Sequence, residues 1–154
     1  MSGVNELEFV VSQAIESGDY RTVIITTKQY LKRNLTQDKV DDLTKNCSVW
    51  RGEAFMAASQ GASAPVVESL VEKYISIGDG VNADRTARLN ERKLRKEEVD
   101  KVLKIAIKKR CTLQLMLRIA SLGISQQYFN ELLLAYKTLQ KDVECNALLK
   151  LKTA

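Results

Sequence analysis

Apolar residues return every three or four positions along most of the chain. Leu7, Val10, Val11, Ala14 and Ile15 fall on one face of a helix. Val99, Val102, Leu103, Ala106 and Ile107 do the same farther on, with Lys101, Lys104 and Lys108 on the opposite side. The β-branched run Val23-Ile24-Ile25-Thr26-Thr27 would suit a strand. Tyr30 and Leu31 carry its apolar face onward at helical intervals, so it reads as helix. The pattern predicts an all-α protein of stacked antiparallel hairpins, or a small bundle, with about seven helices. They are expected near 4–17, 19–34, 36–60, 64–77, 84–110, 112–122 and 125–150, the last bending near Lys141. Thr36 suits an N-cap, although Lys39 stands where a capping box wants an acid. Ser63-Ala64-Pro65 suits a helix start. Gly78-Asp79-Gly80 is the clearest break, too short to be a linker, and 1–154 reads as one domain with a sub-division open at 78–80.

Three segments share a pattern: Ala14 to Gly18 followed by Val23-Ile24, Ala57 to Gly61 followed by Val66-Val67, and Ile119 to Gly123 followed by Tyr128-Phe129. In each, small or apolar residues precede a glycine, and an apolar pair follows. Glycine adopts the left-handed conformation that ends one helix and lets another begin. Each segment is therefore expected to be a joint between two helices. Two readings stand: related hairpins stacked side by side, or three unrelated joints in one bundle. The second segment, Phe55 to Val71, resembles the core of an ankyrin repeat through Ala57-Ala58, Gly61, Val66-Val67 and Leu70-Val71. Its apolar pair lies one residue farther from the glycine than in that family, the Thr-Pro-Leu-His opening is missing, and the glycines do not recur every 33 residues. The resemblance implies a scaffold that binds other macromolecules and carries out no chemistry.

Charge sharpens the picture. The net charge is +5, and residues 84–110 alone stand at +6 while the remainder stands at −1. The bases in question include Arg85, Arg88, Arg92, Lys93, Arg95, Lys96, Lys101, Lys104 and Lys108. As one helix, 84–110 would be about 40 Å long. Three uses fit it: a solvated face laced with i,i+4 pairs, a surface for an acidic protein, or a phosphate-backbone contact. No aromatic residue interleaves with these bases, which disfavours a single-strand stacking platform. The segment 112–137 is similar to a DNA-binding helix-turn-helix through Gly123-Ile124-Ser125, Phe129 and Leu132, which makes Gln126, Gln127 and Asn130 candidate base readers. Leu132-Leu133-Leu134 makes the same helix apolar over a wide arc, as a buried helix would be.

Candidate chemistry is thin. The chain has no histidine, the commonest general base and metal ligand. Cys47, Cys111 and Cys145 lack zinc spacing. Asp38, Asp41 and Asp42 form an acidic cluster that reads as a solvated face. Trp50 and the five tyrosines read as core packing, with Trp50 at a groove as the alternative. No catalytic residue, metal or cofactor is expected. With no 18-residue apolar run and no leader-like start, an intracellular protein, cytoplasmic or nuclear, is expected. The reading that follows is a non-enzymatic adaptor, regulator or inhibitor that binds a protein partner through the basic helix. A nucleic-acid-binding regulator using the same helix and 112–137 is the alternative.

Overall fold

The computed structural model describes residues 2–108, 118–119, 121–123, 125–138 and 142–153, and all regular structure among them is helical. In chain order the helices are α1 Ser2–Ser17, α2 Tyr20–Ile25, α3 Gln37–Asn46, α4 Glu53–Ala58, α5 Ala64–Ser76, α6 Gly80–Arg88, α7 Lys96–Lys108, α8 Gln126–Thr138 and α9 Asp142–Thr153. The chain divides into two compact units, Met1–Leu70 and Val71–Ala154, with the boundary inside α5. Most of the helix expected at 112–122, the bend expected near Lys141, and Cys111 lie outside the described residues.

The first unit buries Val11, Ala14 and Ile15 of α1 with Val23 of α2, Val40 and Leu43 of α3, and Ala54, Ala57 and Ala58 of α4. These are the periodic apolar positions, and packing of α1 on α2 and of α3 on both α1 and α4 follows from them. The β-branched run is helical. Its threonines would leave hydroxyls buried, and Thr27 Oγ1 resolves this by donating to the Val23 carbonyl at 2.7 Å. The backbone then widens into a π-helical stretch, Thr26–Tyr30, in which Leu31 N–H donates five residues back to the Thr26 carbonyl at 2.9 Å. The expected 36–60 helix is two helices. Cys47 leaves α3 with extended backbone, and a 3-10 turn, Trp50–Gly52, ends on Gly52 at φ 71° before α4 begins.

In the second unit the core gathers Tyr74 and Ile75 of α5, Ala83 and Ala87 of α6, Val99, Val102, Leu103 and Ala106 of α7, and Ile119. Phe129 and Leu132 of α8 and Cys145 and Leu148 of α9 are also buried, and α8 packs on both α7 and α9.

The two units repeat one design, at a spacing that differs from the three-glycine pattern in the sequence. Gly18 and Gly78 sit at φ 71° and 79° and receive the same backbone pattern: Gly18 N–H to the Ile15 carbonyl, Gly78 N–H to the Ile75 carbonyl. Asp19 N–H donates to Ala14 and Asp79 N–H to Tyr74, at 2.8 and 2.9 Å. Each aspartate then caps the next helix, accepting from Thr22 N–H and Asn82 N–H respectively. Farther on, Lys32 and Glu91 both take positive φ, at 51° and 59°, ahead of α3 and α7. Asp41 of α3 accepts from Ser63 N–H at 2.7 Å, and Asp100 of α7 accepts from Ser125 N–H at 2.7 Å. These serines precede α5 and α8 and follow Gly61 and Gly123, at φ 119° and 108°. Gly18 thus pairs with Gly78, and Gly61 with Gly123. The sequence pattern groups 18, 61 and 123, whereas the structure pairs 78 with 18.

The close approach at the first joint explains its glycine. A Cβ on Gly18 would lie 2.2 Å from the Asn46 carbonyl oxygen, and one on Gly78 would lie 3.3 Å from Ala106 N. Cys47 and Ala106, at matching places, bring the third helix of each unit against the first joint.

Candidate interaction surface

The basic segment does not form one helix. It comprises the end of α6, a loop over 89–95, and α7, so the expected 84–110 helix is corrected to two helices and a turn. Glu91 at φ 59° makes the turn, and Leu94 is buried to anchor the loop. Residues 109 and 110 lie outside the described set.

The structure separates the candidate cations by task. Arg92 is committed to the fold. Its guanidinium makes a two-pronged contact to Glu98, at 2.8 and 3.2 Å, with the two side chains 19% and 16% exposed. Burial pushes the Glu98 carboxyl up, but hydrogen bonds from Arg92 and from Arg95 N–H, with both guanidinium charges, hold it below the usual glutamate value. Glu98 also closes half of a capping box, accepting from Arg95 N–H at the start of α7 at 2.9 Å. Arg88 lies against Asp84 at 2.9 Å, and Arg85 reaches toward Asn82. Lys93, Arg95, Lys96, Lys101, Lys104 and Lys108 are exposed. Lys101, Lys104 and Lys108 follow one another at i, i+3 and i+7, directly away from the buried face of Val99, Val102, Leu103 and Ala106. Exposed Glu97 stands in the same stripe, and exposed Glu91 at its approach.

The candidate base readers are all exposed on the first turns of α8. Gln126 Nε2 donates to Asn130 Oδ1 at 2.9 Å, so two of the three are joined to each other. Phe129 and Leu132 face the core, as the wide apolar arc suggested, while Leu134 is exposed.

Elsewhere, Trp50 does not pack in the core: it is 68% exposed, on the 3-10 turn before α4. Tyr30 is 65% exposed, whereas Tyr74 is fully buried. A hollow of about 500 Å³ in the first unit is lined by Gly18, Asp19, Tyr20, Arg21, Glu53 and Met56. Asp19 is occupied at the N-terminus of α2, where the Thr22 hydroxyl and N–H hold its carboxyl below the ordinary value. Cys47 beside it is buried, with its Sγ 3.4 Å from the Gly18 carbonyl oxygen. Burial, then the carboxylates of Glu53 and Asp19, push its thiol up to about 11. Asp38 and Asp42 are exposed and Asp41 holds Ser63. Among the described residues no three His, Cys, Asp or Glu side chains are grouped to hold a metal, and no helix is long and apolar enough to cross a membrane.

No family model, no curated protein and no solved structure matches the chain.

Proposed function

We propose that this protein is a non-enzymatic interaction scaffold working inside the cell, an adaptor, regulator or inhibitor whose second unit binds a protein partner. The observation that carries the reading is the exposed cationic surface made by the 89–95 loop and the outer face of α7, on a helix whose opposite face is locked in the core. The second unit has a formal charge of +7 against −2 for the first, so its field attracts acidic partners. Free thiols at Cys47 and Cys145 fit a reducing compartment. The stacked-hairpin design fits the binding role that the ankyrin-like segment suggested.

The nucleic-acid reading has less support. Its base readers Gln126 and Asn130 are tied to each other by one hydrogen bond, and Glu91 and Glu97 would face a uniformly negative backbone. Affinity capture from nuclease-treated extract tests the choice. A discrete protein retained by the intact chain supports the scaffold reading. Loss of all capture on nuclease treatment would overturn it in favour of nucleic acid.

A further inference from the structure

The duplicated design supplies an internal control for the cationic surface. Residues 32–47 and 91–106 form the same turn, the same third helix and the same aspartate tether. Several positions that hold the fold agree between them: Arg33 and Arg92, Leu35 and Leu94, Val40 and Val99, Asp41 and Asp100. Exposed Lys45 and Lys104 also agree, and Asp38 and Glu97 keep an acid, but four other exposed positions change to cations. Asn34, Thr36, Gln37 and Asp42 of the first unit become Lys93, Arg95, Lys96 and Lys101 in the second, all eight being exposed. Changes in the opposite sense fall at Lys32, which becomes Glu91, and Lys39, which becomes the Arg92-bound Glu98. The first unit builds this turn and helix without the four cations; of the four, Arg95 alone has its charge near Glu98, whose place Lys39 takes in the first unit. They also run against the helix start. Thr36 caps α3 by accepting from Lys39 N–H, whereas Arg95 at the matching place offers no acceptor.

We infer that Lys93, Arg95, Lys96 and Lys101 are the recognition cations of this surface, and that their partner is an acid-rich protein segment. This rests on the scaffold reading above. From Lys96, beside the stripe, to Lys108 the helix rises about 18 Å at 1.5 Å per residue, a length suited to a short acidic helix or extended peptide. The surface is not uniformly positive. Glu91 and Glu97 are interspersed, and a protein segment can answer them with its own lysine or arginine, which a phosphate backbone cannot. Poly-L-glutamate, a flexible polypeptide that can set its carboxylates on the cations and pass by Glu91 and Glu97, stands in for the acidic stretches of such a segment.

The experiment gives the second unit the first unit's residues: Lys93→Asn, Arg95→Thr, Lys96→Gln and Lys101→Asp in the full-length chain. A second variant changes the same four residues to Gln, which keeps helix-forming side chains in place. Binding to poly-L-glutamate and to duplex DNA is measured at low and moderate salt, with circular dichroism and melting as folding checks. The inference expects salt-sensitive binding of poly-L-glutamate by the natural chain, at least tenfold weaker in both folded variants. It is overturned if a folded variant binds as well as the natural chain, or if duplex DNA is the tighter ligand. The first result leaves the scaffold reading standing, with its contact elsewhere. If the natural chain binds neither polymer, the inference fails, and capture of a protein from extract then decides the scaffold reading separately.

Discussion

Gly18 shows how much one missing side chain settles. Its φ of 71° and the Asn46 carbonyl 2.2 Å from any added Cβ make two separate demands. Gly61, at φ 119°, makes only the first, since nothing lies within 4 Å of its Cβ position. Gly61→Ala is therefore expected to lose the backbone cost alone, about 1–3 kcal/mol. Gly18→Ala is expected to lose clearly more, because backbone must move. Urea unfolding of the two variants checks the order, and equal losses would contradict the close contact at α3. At this scale the sequence was legible in part. A glycine at a joint is readable, but which backbone it touches depends on residues almost thirty positions away. Trp50 was misread for a related reason. It reads as core only if 36–60 is one helix, and the 3-10 turn and the left-handed Gly52 break that helix and leave the indole exposed.

Among the elements, the loop between α6 and α7 was the least visible from sequence. It has neither proline nor glycine, and Glu91 takes a positive φ that any reading by residue type assigns to helix. The same conformation at Lys32 is equally unmarked. Helix identity elsewhere was plain, because long 3.6-residue periodicity survives errors at the ends. The loop is held instead by Arg92 and Glu98, with a consequence for pH. Glu98's folded-state value lies below its ordinary 4.5. Its contribution is therefore present above about pH 4.5 and fades as pH falls through the lower, folded-state value. Arg92→Gln should cost about 1.5–3 kcal/mol near neutral pH, the range for a hydrogen bond to a charged group. It should also flatten the loss of stability below pH 4.5. Denaturation at a series of pH values measures both, and an unchanged acid limb would show that the pair does not set it.

For the whole molecule, the all-α class and the concentration of positive charge were readable in the amino-acid string. The division of that charge between structural and outward-facing residues was not. Arg92 and Lys93 are neighbours in sequence, yet one is fixed on Glu98 and the other faces water. Only the folded loop distinguishes them. If the outward set binds an acidic polymer, binding must also raise the melting temperature, since a ligand for the folded state alone stabilises it. At one hundred times the dissociation constant the gain is about 2.7 kcal/mol. A melting point unmoved by saturating poly-L-glutamate would mean that the polymer binds folded and unfolded chains alike. The duplicated architecture has a further consequence, for assembly. A nascent chain holding two near-equivalent seats, at Gly18 and Gly78, can dock a third helix in the wrong one, and such swaps trap multi-unit proteins. Side-chain volume opposes the exchange. Where α3 brings buried Thr44, its hydroxyl bonded to the Val40 carbonyl at 2.8 Å, α7 would bring Leu103. The mismatch between a small polar residue and a large apolar one is expected to disfavour the exchange.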